Sequence, residues 1–231
     1  MSEKFKYTAG PDPDFPYLDD TYYFNFPSPK GWDDNIISIG GNLSPGMLLS
    51  AYEQGIFPWY NPGDPVIWQS PDPRCVIFPE KLHISSTMHK VFKSGIFKNT
   101  FDENFEGVIR GCSEKVRPNQ NGTWISEDII SAYLEMHRLG WAHSAETWLD
   151  GKLVGGCYGV LIGRAFCGES MFSNYKNASK AAFLSFAQLL FKNEVAFVDC
   201  QVPTKHLLSL GGEEMSRNDF LELLKIYKVS R

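Results

Sequence analysis

Between Ala142 and Leu161 the chain sets two strand-like segments on either side of Asp150-Gly151. That dipeptide readily takes the left-handed backbone of a tight turn, so the two segments are predicted to form a hairpin. A third strand, Ala165 to Glu169, follows at once, and a polar loop leads into a helix from about Ala178 to Phe191. Val195 to Asp199 reads as a further strand. Upstream, Cys75 to Phe78 and Phe97 to Phe101 are extended, and short helices are predicted near Thr87 to Lys93 and Phe105 to Cys112. Ser126 caps a helix whose Ile129, Ile130, Tyr133, Leu134 and His137 share one face, with Gly140 as its stop. Downstream, a short helix begins near Thr204 and ends at Gly211-Gly212, and Ser216 and Asp219 are placed to cap the last helix. This order suits a twisted mixed sheet flanked by helices, an α/β (α+β) class of fold.

The N-terminal third is different. Prolines in Pro11-Asp12-Pro13-Asp14-Phe15-Pro16-Tyr17 forbid a continuous helix or central strand, so the first 30 or so residues are an extended leader. Its many aromatic residues point to packing along the body. Ser44-Pro45 supplies a hydroxyl cap and a first-turn proline for a helix running to Gln54 before Gly55. An aromatic, turn-rich stretch, a short strand at Val66 to Trp68 and the rigid Ser70-Pro71-Asp72-Pro73-Arg74 corner follow. The expected division is a leader and small domain over 1–73 and a larger domain over 74–231.

The net charge of −5 advertises no global attraction to nucleic acid. Five scattered cysteines without a C-x-x-C pair read as reduced, mostly buried thiols, neither a disulfide frame nor a zinc site. The first residues carry no apolar signal core, and no apolar run is long enough to cross a bilayer. A soluble, cytoplasmic protein is expected.

Two blocks carry the chemistry: Phe166-Cys167-Gly168-Glu169-Ser170-Met171-Phe172-Ser173 and Asp199-Cys200-Gln201. Each sets charged or amide groups among apolar neighbours on a strand. A carboxylate there must find a partner or shift its pKa, which makes Glu169 and Asp199 candidates for function. Asp199 and Gln201, two apart on a strand, are expected to point to one side of the sheet.

Further blocks line up in order: Gly40-Gly41-Asn42-Leu43-Ser44-Pro45, Tyr52-Glu53-Gln54-Gly55-Ile56-Phe57-Pro58-Trp59, Pro62-Gly63-Asp64-Pro65, Ser70-Pro71-Asp72-Pro73-Arg74, Gly122-Thr123-Trp124-Ile125, Ala142-His143-Ser144, Val154-Gly155-Gly156 and Ser209-Leu210-Gly211. Together with the two chemical blocks they resemble the leucyl/phenylalanyl-tRNA–protein transferase family of bacteria, over about Phe26 to Phe220. The resemblance implies a small N-terminal domain beside a GNAT-like acyltransferase domain, with no cofactor, neither metal nor coenzyme A. It implies transfer of Leu or Phe, with Met a further option, from charged tRNA to proteins with N-terminal Arg or Lys, which marks them for the N-degron route. A monomer is the family-like expectation.

An aminoacyl ester is already activated, so the enzyme mainly positions an amine against a carbonyl and manages protons. By resemblance Asp199 polarises Gln201, whose amide oxygen accepts a proton from the amine; a direct base role for Asp199, or help from the tRNA ribose hydroxyl, stays open. Glu169 resembles the family's acceptor-side carboxylate, which would pair with a cationic N-terminus, and Thr204, on the same acceptor-peptide side, stands where some relatives have Asn. For Glu169 an ion pair with Lys180 or Arg164 is the competing reading. Trp59, Phe166, Met171 and Phe186 match the aminoacyl pocket; Cys157, also a pocket position, departs from the pattern where some relatives carry a larger Met, which would widen the pocket towards Phe, Trp or Met. His206 and His143 read as structural. Lys81, Lys90, Lys93 and Lys98, in a stretch without acids, form a candidate phosphate track for tRNA that Arg110, Lys115 and Arg117 would extend.

Three other readings compete. An acyl-coenzyme A acetyltransferase needs a glycine-rich pyrophosphate loop, yet the helix after Ser173 opens from Asn174-Tyr175-Lys176-Asn177-Ala178-Ser179. A peptidoglycan-type aminoacyl-tRNA transferase fits the ordered blocks poorly. A non-catalytic binder of charged tRNA or basic N-termini would have no need of Glu169, Asp199 and Gln201.

Overall fold

The computed structural model describes residues 8–115 and 123–228; Arg117 and Gly122 lie outside them. The leader is tied along the first helix, α1 (Pro45–Glu53), by its own backbone. Leu18 and Phe24 donate main-chain N–H groups to Ser44 and Ser50 at 3.2 and 2.8 Å, and Gln54 bonds both Phe24 and Phe26. Leu18 and Phe26 are buried, so the leader packs along the body as its aromatics suggested. A small antiparallel sheet, β1 (Ile36–Ile39), β3 (Ile67–Gln69) and β2 (Phe57–Pro58), lies alongside.

Among the described residues the main sheet has seven strands. Chain order gives β4 (Arg74–Ile77), β5 (Lys98–Phe101), β6 (Ala142–Leu149), β7 (Lys152–Ile162), β8 (Ala165–Ser173), β9 (Phe197–Gln201) and β10 (Glu213–Met215). Spatial order is β10-β4-β9-β8-β7-β6-β5. The β6–β7 hairpin turns at Asp150 and Gly151, with φ of 50° and 75°, as the dipeptide requires. Helices α2 (Ser86–Ser94), α3 (Phe105–Ser113), α4 (Glu127–Arg138), α5 (Ala178–Lys192), α6 (Lys205–Leu208) and α7 (Arg217–Tyr227) cover the sheet. The Ser126, Thr204 and Ser216 hydroxyls accept the capping bonds of α4, α6 and α7. The fold is mixed α/β.

One pairing positions the site. Helix α5 links β8 to β9, and among the described residues these two strands alone in the sheet run parallel. They pair only through Ala165–Phe197, Phe166–Val198 and Cys167–Asp199. Beyond Cys167 the strands part, β8 continuing to Ser173 as the partner of β7 alone. Unpaired carboxyl ends of parallel strands leave a crevice, a recurrent place for ligands in α/β sheets. Strand β8 is therefore four residues longer than its predicted end at Glu169, because β7 pairs it past Gly168 through a bulge at Tyr158 and Gly159.

Candidate active site

Arg74 leaves the Ser70–Pro73 corner and opens β4, which pairs with β9. Its Nε donates to Asp199 Oδ1 at 2.9 Å and its Nη2 to Oδ2 at 2.6 Å. Nη1 donates to the Gly55 carbonyl, and the guanidinium carbon lies 5.0 and 4.3 Å from the Phe57 and Phe220 ring centres. Both side chains are out of solvent, at 1% and 0% exposure. A forked pair so deep persists because every charged atom is bonded, and losing either partner would strand the other.

Asp199 Oδ1 also accepts the main-chain N–H of Gln201 at 2.8 Å. This bond sits at a β-bulge, where the consecutive Cys75 and Val76 pair with Gln201 and Asp199. It holds Gln201 at φ 62°, a left-handed conformation that costs an L-residue roughly 1–2 kcal/mol. Regular alternation from Asp199 to Gln201 therefore fails as a guide. Asp199 does not touch the Gln201 side-chain amide, as polarising it directly would need; it pins the Gln201 backbone.

The side chain of Gln201 turns instead to Glu169, donating from Nε2 to Oε1 at 2.7 Å. Tyr133 on α4 donates to Glu169 Oε2 at 3.2 Å, and its hydroxyl also bonds that of Tyr52 on α1. Neither Lys180 nor Arg164 pairs with Glu169; Arg164 donates to the Glu194 carbonyl. Burial pushes the Glu169 carboxyl up to about 7, against the pull of bonds from Tyr52, Tyr133 and Gln201, and the Asp199 charge adds to the rise. Burial, then the Glu169 charge, pushes both phenols well above their ordinary value.

Two spaces meet at this carboxylate. The larger, about 460 Å³, lies between the parting strands, with Cys157, Phe166, Met171, Phe183 and Val198 as apolar walls. Lys115 and His206 also line it, and burial together with the charges of Lys180 and Lys115 keeps His206 below its ordinary pKa. The smaller, about 240 Å³, is aromatic, with Phe57, Trp59 and Trp124 beside Gln201. Glu169, Cys200, Thr204 and Leu207 border both.

The predicted pocket residues therefore separate. Cys157, Phe166 and Met171 line the larger space. Phe186 stands behind, edge-on to Phe166 at 5.1 Å and stacked on Phe101 at 5.6 Å. Trp59 lines the smaller space with Trp124, because β2 belongs to the small sheet and delivers its aromatics on the β9 side. Thr204 borders both while capping α6.

The basic residues scatter as well. Lys90 and Lys93 are exposed on α2, Lys98 lies on the edge strand farthest from β10, and Lys81 pairs with Glu213 at 2.7 Å. Arg110 bonds Glu106 and Glu127, so its charge is already compensated; Lys115 reaches the larger space. His143 bonds Asp102 at 2.8 Å.

Sequence reasoning did not single out Arg74, Tyr52 or Tyr133 for the site. The available signal was a cation opening an apolar strand, which needs a buried partner. For the tyrosines there was only their helical face.

An apolar space and an aromatic one thus border the same buried carboxylate, Glu169. Comparison with known proteins gives the family. The model for leucyl/phenylalanyl-tRNA protein transferase matches residues 76–225, and that for its N-terminal domain matches 41–72. The leucyl/phenylalanyl-tRNA–protein transferase of Flavobacterium johnsoniae is 49% identical over 193 residues, 84% of this chain and 91% of that protein. That of Hahella chejuensis is 45% identical over 215 residues, covering 93% and 92%. Likeness to solved structures is loose: a GCN5-related N-acetyltransferase from Kribbella flavida gives a TM-score of 0.41 at 11% identity, over 75% of this chain and 62% of that one. The chain belongs to the leucyl/phenylalanyl-tRNA–protein transferase family. It is an aminoacyltransferase that uses aminoacyl-tRNA as donor and proteins as acceptors. Among the described residues no helix is long and apolar enough to cross a membrane.

Proposed function

We propose that this enzyme transfers Leu or Phe, with Met as a further donor, to the α-amine of proteins beginning with Arg or Lys, marking them for N-degron degradation in the cytoplasm. It acts as a monomer whose small domain (1–73) and transferase domain (74–231) share the cleft. The observation that carries this reading is the junction at Glu169, where a space walled by apolar side chains meets an aromatic one. Cys157, Phe166 and Met171 hold the donor side chain, backed by Phe186, while Trp59 and Trp124 offer ring faces to the terminal adenosine. Glu169, with Thr204 beside it, faces the acceptor.

In the reaction the acceptor nitrogen attacks the ester carbonyl, the bond to the ribose oxygen breaks, the amine loses a proton and the released ribose oxygen gains one to leave as a hydroxyl. Gln201 accepts no bond at its amide oxygen among the described residues, so that oxygen is available to orient the amine N–H. An amide oxygen is a weak base, whereas a carboxylate titrating at about 7 is matched to the task, so Glu169 takes the proton. Both Asp199 oxygens are engaged with Arg74 and Gln201, so Asp199 acts as a positioning residue through the Gln201 backbone. Phosphates of the tRNA arm follow Lys90, Lys93 and Lys98 towards Lys115 at the cleft, while Lys81 is held by Glu213. The test is transfer from Leu-, Phe- and Met-tRNA to peptides beginning Arg, Lys, Asp or Ala. Labelling confined to Arg and Lys peptides supports the reading; equal labelling of all four overturns the acceptor assignment.

A further inference from the structure

Cys75 on β4 and Cys200 on β9 occupy neighbouring antiparallel strands at the bulge that shapes the site. Cys200 is the extra residue there, between Asp199 opposite Val76 and Gln201 opposite Cys75. The two side chains share a face of the sheet. Cys200 and the Cys75 neighbour Ile77 pack into the core beneath α5, while Val76 packs on the opposite face with Phe197 and Phe220. The two thiols influence each other's titration, Cys75 being drawn below and Cys200 pushed above an ordinary thiol. Their exposures differ. Cys75 is fully buried, whereas Cys200 borders both reactant spaces.

We propose that Cys75 and Cys200 form a reversible disulfide site by which hydroperoxides inactivate the enzyme. The geometry meets the main requirement, two cysteines facing each other at a bulge between adjacent antiparallel strands. Access is graded so that only Cys200 meets an oxidant entering the cleft. Its sulfur attacks a peroxide oxygen, the O–O bond breaks and water leaves, giving a sulfenic acid. The Cys75 sulfur then attacks the Cys200 sulfur, the S–O bond breaks and a second water leaves. Two thiols have lost two electrons and two protons to one hydrogen peroxide. A thiol reverses the bond by exchange.

The consequence lies in the neighbours of Cys200. A bond to Cys75 draws the bulge towards β4, and the bulge sets both the Asp199–Gln201 contact and the left-handed Gln201. Displacement of a positioned group by an ångström can cost about a hundredfold in rate. The site goes beyond the functional reading above and rests on it only for the activity readout.

The test treats the full chain with hydrogen peroxide, alkylates remaining thiols and maps the peptides by mass spectrometry, with transfer measured in parallel. A peptide pair joined through Cys75 and Cys200, with transfer lost and restored by dithiothreitol, is the expected result. Cys75→Ala should keep its activity and be spared the reversible, bond-linked loss. Should that variant fold poorly, Cys75→Ser gives the same comparison. Cys200 oxidised to sulfinic acid while Cys75 is still alkylated would overturn the site; the linked pair forming with transfer unchanged would overturn its effect. Linkage is read without any substrate, so failure of the proposed transfer reaction would be seen separately.

Discussion

Replacing Glu169 by Gln should stabilise the protein at alkaline pH and not at acid pH. In the folded protein the carboxyl titrates at about 7, against an ordinary 4.5, a rise of about 2.5 pH units (7 less 4.5). At 1.36 kcal/mol per unit this corresponds to about 3 kcal/mol. The sign follows from proton binding. Between these values the folded state holds a proton that the unfolded state has released, so stability is fully present below about pH 4.5 and lost as pH rises to about 7. Gln cannot ionise, so the variant escapes the loss. It gives up one acceptor facing the Tyr133 hydroxyl and Gln201 Nε2, at a cost of about 1 kcal/mol. The net gain is about 2 kcal/mol above pH 8, or ~4–8 °C in Tm for a chain of this size, shrinking to near zero around pH 5. Thermal melts of both proteins across that range provide the assay. A Tm difference that does not change with pH would refute the assignment of the raised pKa to Glu169.

Arg74→Met leaves Asp199 buried without its cation and should cost about 3–5 kcal/mol in urea unfolding, much of it recovered by adding Asp199→Asn. Cys157→Met narrows the larger space and should lower kcat/KM for Phe relative to Leu by about tenfold, measured as competing transfer from the two charged tRNAs. Binding of charged tRNA should weaken linearly with log salt, with Lys115→Ala lowering the slope by about one and Lys81→Ala, already paired with Glu213, changing it little. Filter binding over a salt series checks both; equal effects of the two substitutions would contradict the placement of the phosphate path.

Local signals carried much of the fold. The Asp150-Gly151 turn, the Ser126 and Ser216 caps and the first-turn Pro45 act within a few residues, so they can be read from the chain directly. Strand β10 was not legible because Glu213-Glu214-Met215 is a polar edge whose pairing comes from β4. Strand β1 is similarly short and half-exposed. In the site, Glu169 and Asp199 stood out as charges among apolar neighbours. Their partners did not, because Arg74 meets Asp199 across 125 positions and Tyr133 meets Glu169 across 36. The bulge that turns Gln201 towards Glu169 likewise depends on pairing with β4.

The most direct test of the chemistry is the pH dependence of kcat/KM for transfer to an Arg peptide, in the native enzyme and in Glu169→Gln, because this parameter reports groups of the free enzyme and free substrate. In the native enzyme the value should fall as pH drops through about 7, where Glu169 takes up its proton, in addition to the titration of the acceptor amine at about 8. In Glu169→Gln the rate should be lower throughout and only the amine titration should remain. An unchanged profile in the variant would show that another group receives the proton.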